Sequence, residues 1–214
     1  MSDIFREIEE ELRRESLEQL WKRYSSYIIG LAVLIVIATA AVMGWRAYQQ
    51  KQRETQGVQY AAALDLVHQN KEADAAAAFA ELAQKADHGR AVLARLEEAA
   101  SKINSSDVPG AIAVYDQVAS DSSVDPGFRD AATILSARYM LDKGDPQTVI
   151  AKLQPLTVAT SPWHGMALEF TALAELKAGD KAKAHGDFDT LSKDATVAQG
   201  VRQRAAEIAA TLAP

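Results

Sequence analysis

The four histidines are the first candidates for chemistry, because imidazole is a common metal ligand and general base. They are His68, His88, His164 and His185, and no two of them stand four residues apart, as a paired helical metal site requires. The chain has no cysteine to complete a zinc site or act as a nucleophile. The sequence therefore predicts no metal site.

Motifs for covalent or cofactor chemistry are also missing from the sequence. It contains no glycine-rich phosphate loop, no G-x-S-x-G elbow and no dinucleotide fingerprint. Acidic pairs such as Glu97-Glu98 are typical of a solvated helix face, and Trp163-His164 follows Pro162, where capping or packing is favoured over binding. We expect a protein that is not an enzyme, with no catalytic residue, no cofactor and no small-molecule substrate.

The charge balance argues against a nucleic-acid partner. Residues 46–214 contain 18 basic and 22 acidic residues, a net charge of −4. No basic stripe is visible, and the aromatic residues are too sparse to form a stacking platform for single strands.

An uncharged run from Tyr24 to Trp45 predicts a membrane anchor. Its 22 residues, at about 1.5 Å each, would span about 33 Å, enough for a hydrocarbon core of about 30 Å. Tyr24, Tyr27 and Trp45 stand at its ends, where aromatic rings prefer the headgroup layer, and Lys22 and Arg46 close it with charge. A core helix would rarely be apolar on every face in so small a chain.

Cleavage of this run as an export signal is the main alternative, because Ala38-Thr39-Ala40 has the form of a cleavage site. The preceding residues 1–23 hold seven acids against five bases, unlike a positive leader, and the apolar run continues to Trp45. Basic residues on both sides favour a cytoplasmic N-terminus only slightly. A short tail before a long domain is typical of a signal anchor, so we expect a single-pass bacterial inner-membrane protein with a periplasmic C-terminal domain.

The segment before the anchor has helical spacing of its apolar residues. They fall on one side, with glutamates and arginines elsewhere: Ile4, Phe5, Ile8, Leu12, Leu20 and Trp21. This side could lie on the membrane or dock on a partner's cytoplasmic loops. A charged helical extension of the anchor is an equal alternative.

Internal repetition dominates the rest of the chain. Four blocks beginning at Asn70, Ser106, Gly144 and Gly179 are spaced by 36, 38 and 35 residues. Each block repeats an alanine or valine, an aromatic residue or leucine four positions later, and an aliphatic residue three positions after that: Ala75, Phe79 and Leu82; Ala111, Tyr115 and Val118; Val149, Leu153 and Leu156; and Ala184, Phe188 and Leu191. An upstream alanine column, Ala63, Ala99, Ala137 and Ala172, marks another helix, which precedes the block in each unit and is the first helix of the pair.

These columns describe a repeated antiparallel helix pair, with Asp107, Asp145 and Asp180 placed to cap the second helix of a pair. The period near 35 resembles the tetratricopeptide repeat. The fold class expected is all-α, with a transmembrane helix followed by an α-solenoid of about four helix pairs and a cap helix. The boundaries expected are a cytoplasmic tail at 1–23, an anchor at 24–45, a helical linker at 46–56, the repeat domain at 57–194 and the cap at 195–214.

The order of parts narrows the resemblance. The start "MSDIFREIEEELRRESLEQLWKRY", the span beginning "YIIGLAVLIV" and the degenerate repeats resemble the YfgM-like family of bacterial inner-membrane proteins, regarded as ancillary subunits of the SecYEG translocon. That resemblance implies a periplasmic repeat domain linking the translocon to periplasmic chaperones. The alternative is a cell-envelope repeat scaffold coordinating division or wall assembly, because a fold does not fix a function.

Repeat geometry predicts which residues would face a partner protein. On the concave face of the superhelix, leucines would supply burial while Arg138, Glu169 and Lys177 would fix the direction of a bound segment. The alternative to partner binding is that each leucine packs in the core between neighbouring repeats. The predicted protein-binding residues are Tyr60, Leu64, Leu93, Leu96, Ala100, Asn104, Ile134, Arg138, Met166, Glu169, Leu173 and Lys177.

Overall fold

The part of the chain that the structure describes is built of helices joined by short turns and loops. A computed structural model describes residues 2–212, with side chains from Trp21 onward except Ile28, and these residues form nine α-helices and no strand. The all-α prediction is therefore confirmed. The helices are α1 Ser2–His68, α2 Glu72–Lys85, α3 His88–Asn104, α4 Val108–Ser120, α5 Pro126–Lys143, α6 Pro146–Leu153, α7 His164–Ala178, α8 Lys181–Lys193 and α9 Gln199–Leu212, with a 3-10 turn at Gln154–Leu156.

The chain divides into two compact units, residues 1–55 and residues 56–214. In the first unit, the part of α1 from Trp21 onward is long and apolar enough to cross a membrane, and its apolar window is not buried. Tyr27, for example, is 75% exposed, and the Trp45 and Tyr48 rings lie 6.3 Å apart, centroid to centroid. The apolar side predicted for the tail rests on side chains that, except for Trp21, lie outside the described ones.

The repeat columns form the core of the second unit. All four upstream alanines and all twelve residues of the block columns are buried. The alanine or valine of each block packs against a neighbouring helix, while the aromatic ring or leucine one turn later fills the space between helices. The predicted repeat register is confirmed, because every column predicted from spacing occupies the interior.

The turns between paired helices follow the predicted capping chemistry. Asp107 accepts a hydrogen bond from the Gly110 amide at 3.0 Å, Asp145 from Thr148 at 2.9 Å and Asp180 from Lys183 at 3.2 Å. These bonds satisfy free amides in the first turns of α4, α6 and α8. The predicted capping role of the three aspartates is confirmed.

Three of the four block-initial residues adopt a left-handed conformation. Asn70 has φ 57°, Ser106 has φ 70° and Gly179 has φ 87°, whereas Gly144 is extended at φ −78°. Glycine and, to a lesser degree, asparagine reach this region at low cost, which suits Asn70 and Gly179; Ser106 adopts the same conformation in the second pair. The third pair turns differently, through an extended Gly144.

Helix α9 closes the array after the last pair. Ala205 and Ala209 are buried against the core formed by Leu168, Phe188 and Leu191. The exposed side of α9 carries Gln203, Arg204, Glu207 and Thr211 among alanines, which suits a terminal helix that faces water.

Candidate protein-binding surface

The predicted concave positions recur once per turn along the first helix of each pair. Counted from the alanine column, they fall at −6, −3, +1 and +5 on residues 56–68 of α1 and on helices α3, α5 and α7. These offsets place them on one side of each helix. We call this side of the first helices the predicted concave face. The contacts of each of its residues follow from the structure.

The −3 positions are mostly occupied by contacts within the domain. The Tyr60 hydroxyl donates to Glu97 at 3.3 Å, and burial together with the Glu97 charge raises the pKa of Tyr60. Ile134 is 1% exposed and packs in the core with Ala137 and Leu153, while Leu96 packs against the neighbouring core cluster. A bound segment could reach little of Ile134 without repacking.

Glu169, the fourth −3 position, pairs with the terminal helix. It is 9% exposed, and Arg204 of α9 donates to its carboxylate through Nε at 3.1 Å and Nη2 at 2.9 Å. Hydrogen bonds from two guanidinium nitrogens stabilise this buried carboxylate. Sequence reasoning did not find Arg204, although its position 35 residues after Glu169 matches the repeat period.

The +5 positions join neighbouring helices. Lys177 donates from Nζ to the carbonyl oxygens of Leu141 at 2.8 Å and Asp142 at 2.6 Å, at the C-terminal end of α5. A lysine there satisfies free carbonyls and favours the negative end of the helix dipole. Asn104 donates to Glu72 at the start of α2 at 3.2 Å. Both side chains therefore have structural partners.

The −6 and +1 positions include the residues that are most exposed to a partner protein. Leu93 is 44% exposed, Met166 is 36% exposed, and Arg138 is exposed with its guanidinium 5.8 Å from the Tyr139 ring centroid. Leu64 and Leu173 are half-buried against core clusters, and Ala100 is also half-buried. Leu93, Arg138 and Met166 are the candidate residues most available to a partner.

A shallow apolar cleft adjoins Leu93. It has a volume of about 180 Å³ and is lined by Gln56, Gly57, Tyr60, Arg90 and Leu93. Arg90 donates to Gln56 at 3.0 Å, so polar groups at its edge already bond to each other. A Cβ at Gly57 would meet no atom within 4 Å, which leaves room for an aliphatic side chain from a partner.

A second cleft adjoins Met166 and holds His164. It has a volume of about 280 Å³ between the start of α7 and the segment containing Val197 and Val201. His164 lies 2.7 Å from the Thr157 carbonyl oxygen through Nδ1 and 3.2 Å from Asp194 through Nε2. Both ring nitrogens therefore have partners, and the imidazole connects the segments that contain Thr157 and Asp194, in agreement with a packing role.

One partly buried polar cluster was not predicted from the sequence. Ser136 on α5 donates to Asp116 on α4 at 2.6 Å, and Lys152 on α6 lies 3.1 Å from the Ser136 hydroxyl while pairing with Asp116. A serine beside a lysine resembles a nucleophile and its base. Ser136 is 0% exposed, however, so no substrate reaches it in this conformation and the cluster joins three helices.

Two carboxyl groups meet between α7 and α8. Glu175 is 8% exposed, and burial, followed by the negative charge of Asp187, raises the pKa of Glu175. Burial also raises the pKa of Asp187, partly offset by its hydrogen bond with Glu175. Protonated Glu175 can donate to ionised Asp187. The described residues contain no group of three metal-ligating side chains.

A comparison with protein families agrees with the repeat columns and the stacked helix pairs. Residues 18–205 match the tetratricopeptide repeat-like domain family. The chain belongs to this family. No curated protein and no solved structure matches the chain. Domains with tetratricopeptide-like repeats are typically interaction modules rather than catalysts, which makes protein partners the general expectation.

Proposed function

We propose that this protein is a non-enzymatic, membrane-anchored scaffold that binds other proteins through its tetratricopeptide-like array. The membership of residues 18–205 in the repeat family carries this proposal. The array offers reachable apolar and cationic side chains at Leu93, Arg138 and Met166. Such a surface suits a helix or extended segment of a partner.

The anchor determines where the scaffold works. The exposed apolar helix from Trp21 onward supports a single membrane span. Confinement to a membrane raises the effective concentration of the array near a membrane partner, so that weak contacts suffice. We infer a cytoplasmic N-terminus and a periplasmic array at a bacterial inner membrane.

The partners proposed are the SecYEG translocon and periplasmic chaperones. The support is the resemblance of the opening residues through "LWKRY" and of the span to the YfgM-like family. In this account the chain is an accessory subunit of the Sec translocon and connects it to chaperones that receive exported chains.

Crosslinking from the stretch between Arg46 and Gln59 tests the partner assignment. The chain has no cysteine, so a single exposed residue such as Gln52 can be replaced by cysteine to give one defined thiol. Adducts with translocon subunits are expected in intact membranes. Adducts with division or wall-assembly proteins instead would support the cell-envelope alternative and contradict the Sec assignment.

Protease accessibility tests the orientation. Protease added to spheroplasts should degrade the domain that follows Trp45 and spare the first 23 residues. Protection of the large domain in intact spheroplasts, with digestion only after lysis, would contradict a periplasmic array.

A further inference from the structure

The outer side of the first helix pair lacks a cover that the third pair has. In α5, Ser136 immediately precedes the alanine column and is 0% exposed, with Asp116 of the preceding helix α4 bonded to it. The equivalent residue in α1 is Ala62, and it is exposed. The same position thus changes from fully buried to open between the third and the first pair.

The difference follows from the order of helices. Within the array, α2 packs on α3, α4 on α5 and α6 on α7, so each later first helix has a second helix before it. In the unit of residues 56–214, residues 56–68 of α1 are the first helical segment, and Val58 and Ala62 on this segment are exposed. Repeat arrays usually protect such an end with a polar capping element.

The uncovered side is apolar at its centre. A notch of about 190 Å³ lies between α1 and α2, and we call it the end-face notch. Val58, which is 71% exposed, stands one turn before Ala62 on α1 and extends the apolar surface. The residues lining the notch are Gln59, Ala62, Ala63, Leu66, Ala78, Glu81 and Leu82.

Acidic groups surround this apolar centre. Glu81 lines the notch, Asp74 stands one turn before Ala78 on α2, and Asp65 follows Ala62 by three residues on α1. Two bases lie on the same row: Lys85 of α2, which pairs with Glu81, and Lys71, three residues before Asp74. Three carboxylates and two lysines leave this surface with a net charge of −1.

We propose that the end-face notch binds a basic amphipathic helix of another protein, with aliphatic side chains over Ala62 and lysines or arginines beside Asp65, Asp74 and Glu81. A helix fits because a helix covers the equivalent side of α5. A second copy of this chain fits poorly, because matching faces would place these carboxylates against their own equivalents. This surface is separate from the predicted concave residues and does not depend on them.

Binding of two matched synthetic helices to the full-length protein in detergent tests the proposal. Both fluorescent peptides have the same leucine and alanine face, and the flanking residues are lysine in one and glutamate in the other. The lysine peptide should bind the natural chain at least about tenfold more tightly than the glutamate peptide, since like charges suppress the wrong partner. Equal affinities, or binding of neither, would overturn the proposal.

Variants then locate the binding. Ala62→Trp fills the notch at an exposed position and should weaken the lysine peptide about tenfold, whereas Ala182→Trp, at an exposed position of α8, should not. Asp65→Lys with Asp74→Lys should reverse the peptide preference, and Glu207→Lys on α9 should leave it unchanged. Equal effects of each variant and its control would contradict this location, and circular dichroism verifies folding.

Oxidation tests the rival occupant directly. The full chain carrying Ala62→Cys has a single thiol, because the natural sequence has none. In membranes it should stay monomeric under mild oxidation. Rapid formation of a disulfide-linked dimer would show that a second copy covers the notch and would overturn the proposal.

Discussion

Arg204 and Glu169 connect the terminal helix to the last repeat. The guanidinium of Arg204 donates to both carboxylate oxygens of Glu169, at 2.9 Å to Oε1 and 3.1 Å to Oε2 from Nη2. Glu169 is nearly buried while Arg204 is largely exposed. Glu169 is one of the residues predicted to bind a partner. Its carboxylate is already engaged by Arg204 of the terminal helix α9.

Removing the arginine should destabilise the array. Arg204→Ala leaves the Glu169 carboxylate buried without its cation, and we expect a loss of about 1–3 kcal/mol in the free energy of unfolding. Glu169→Gln in the same chain should recover part of this loss, because the uncompensated charge is removed. Urea unfolding of the full chain in detergent measures both changes, and equal stability of Arg204→Ala and the natural chain would contradict the role of the pair.

Lys177 should act as a helix cap rather than as a free binding cation. Lys177→Met loses its bonds to the Leu141 and Asp142 carbonyl oxygens and should cost about 1 kcal/mol of unfolding free energy. Lys181→Met, at an exposed position of α8, is the matched control and should be nearly neutral. Identical unfolding curves for the two variants would rule out the cap. Arg138→Glu is accordingly the cleaner test of binding.

The alanine column should tolerate no larger side chain. Ala137 and Ala172 are both fully buried where helices cross, so leucine at either position overpacks the crossing and should cost about 1–3 kcal/mol. Ala113→Leu, on an exposed side of α4, is the control and should change little. Thermal unfolding followed by circular dichroism makes the comparison, and unchanged melting temperatures in both buried variants would contradict the repeat register.

The carboxyl pair between α7 and α8 predicts a pH dependence. The pKa of Glu175 is raised in the folded protein, so the folded state keeps its proton to higher pH than the unfolded state, whose carboxyl pKa is about 4. The contribution of Glu175 to the free energy of unfolding is therefore fully present below about pH 4. It is lost as pH rises through the pKa of the folded state. Asp187, also with a raised pKa, contributes with the same sign.

Glu175→Gln should remove this loss. Relative to the natural chain, the variant should gain stability as pH rises from about 4 towards 7, and the difference should vanish at lower pH. Groups that do not contact Glu175 cancel in the difference, including Asp145 and Asp194, whose pKa values are lowered by hydrogen bonds from nearby hydroxyl and amide groups. A difference that does not change with pH would show that the pKa of Glu175 is the same in the folded and unfolded states.

Sequence spacing predicted the core and the capping turns because both depend on local periodicity. A small residue at each crossing and an aspartate at each turn have the same surroundings in successive units, as Ala137 and Asp145 illustrate. Binding positions were harder to predict, because contacts from other helices decide which ones remain open. Ile134 is buried by helix packing, and Glu169 is bound by a helix that starts 30 residues later at Gln199.

The most direct test of the scaffold proposal is photocrosslinking from one exposed residue of the predicted concave face. A photoreactive residue at Leu93 of the full chain in living cells should give discrete protein adducts, and Arg138→Glu should reduce their yield. The same residue at Ala113, exposed on the second helix α4, should give few. Absence of adducts at Leu93, or equal adducts at both positions, would contradict binding through the concave face.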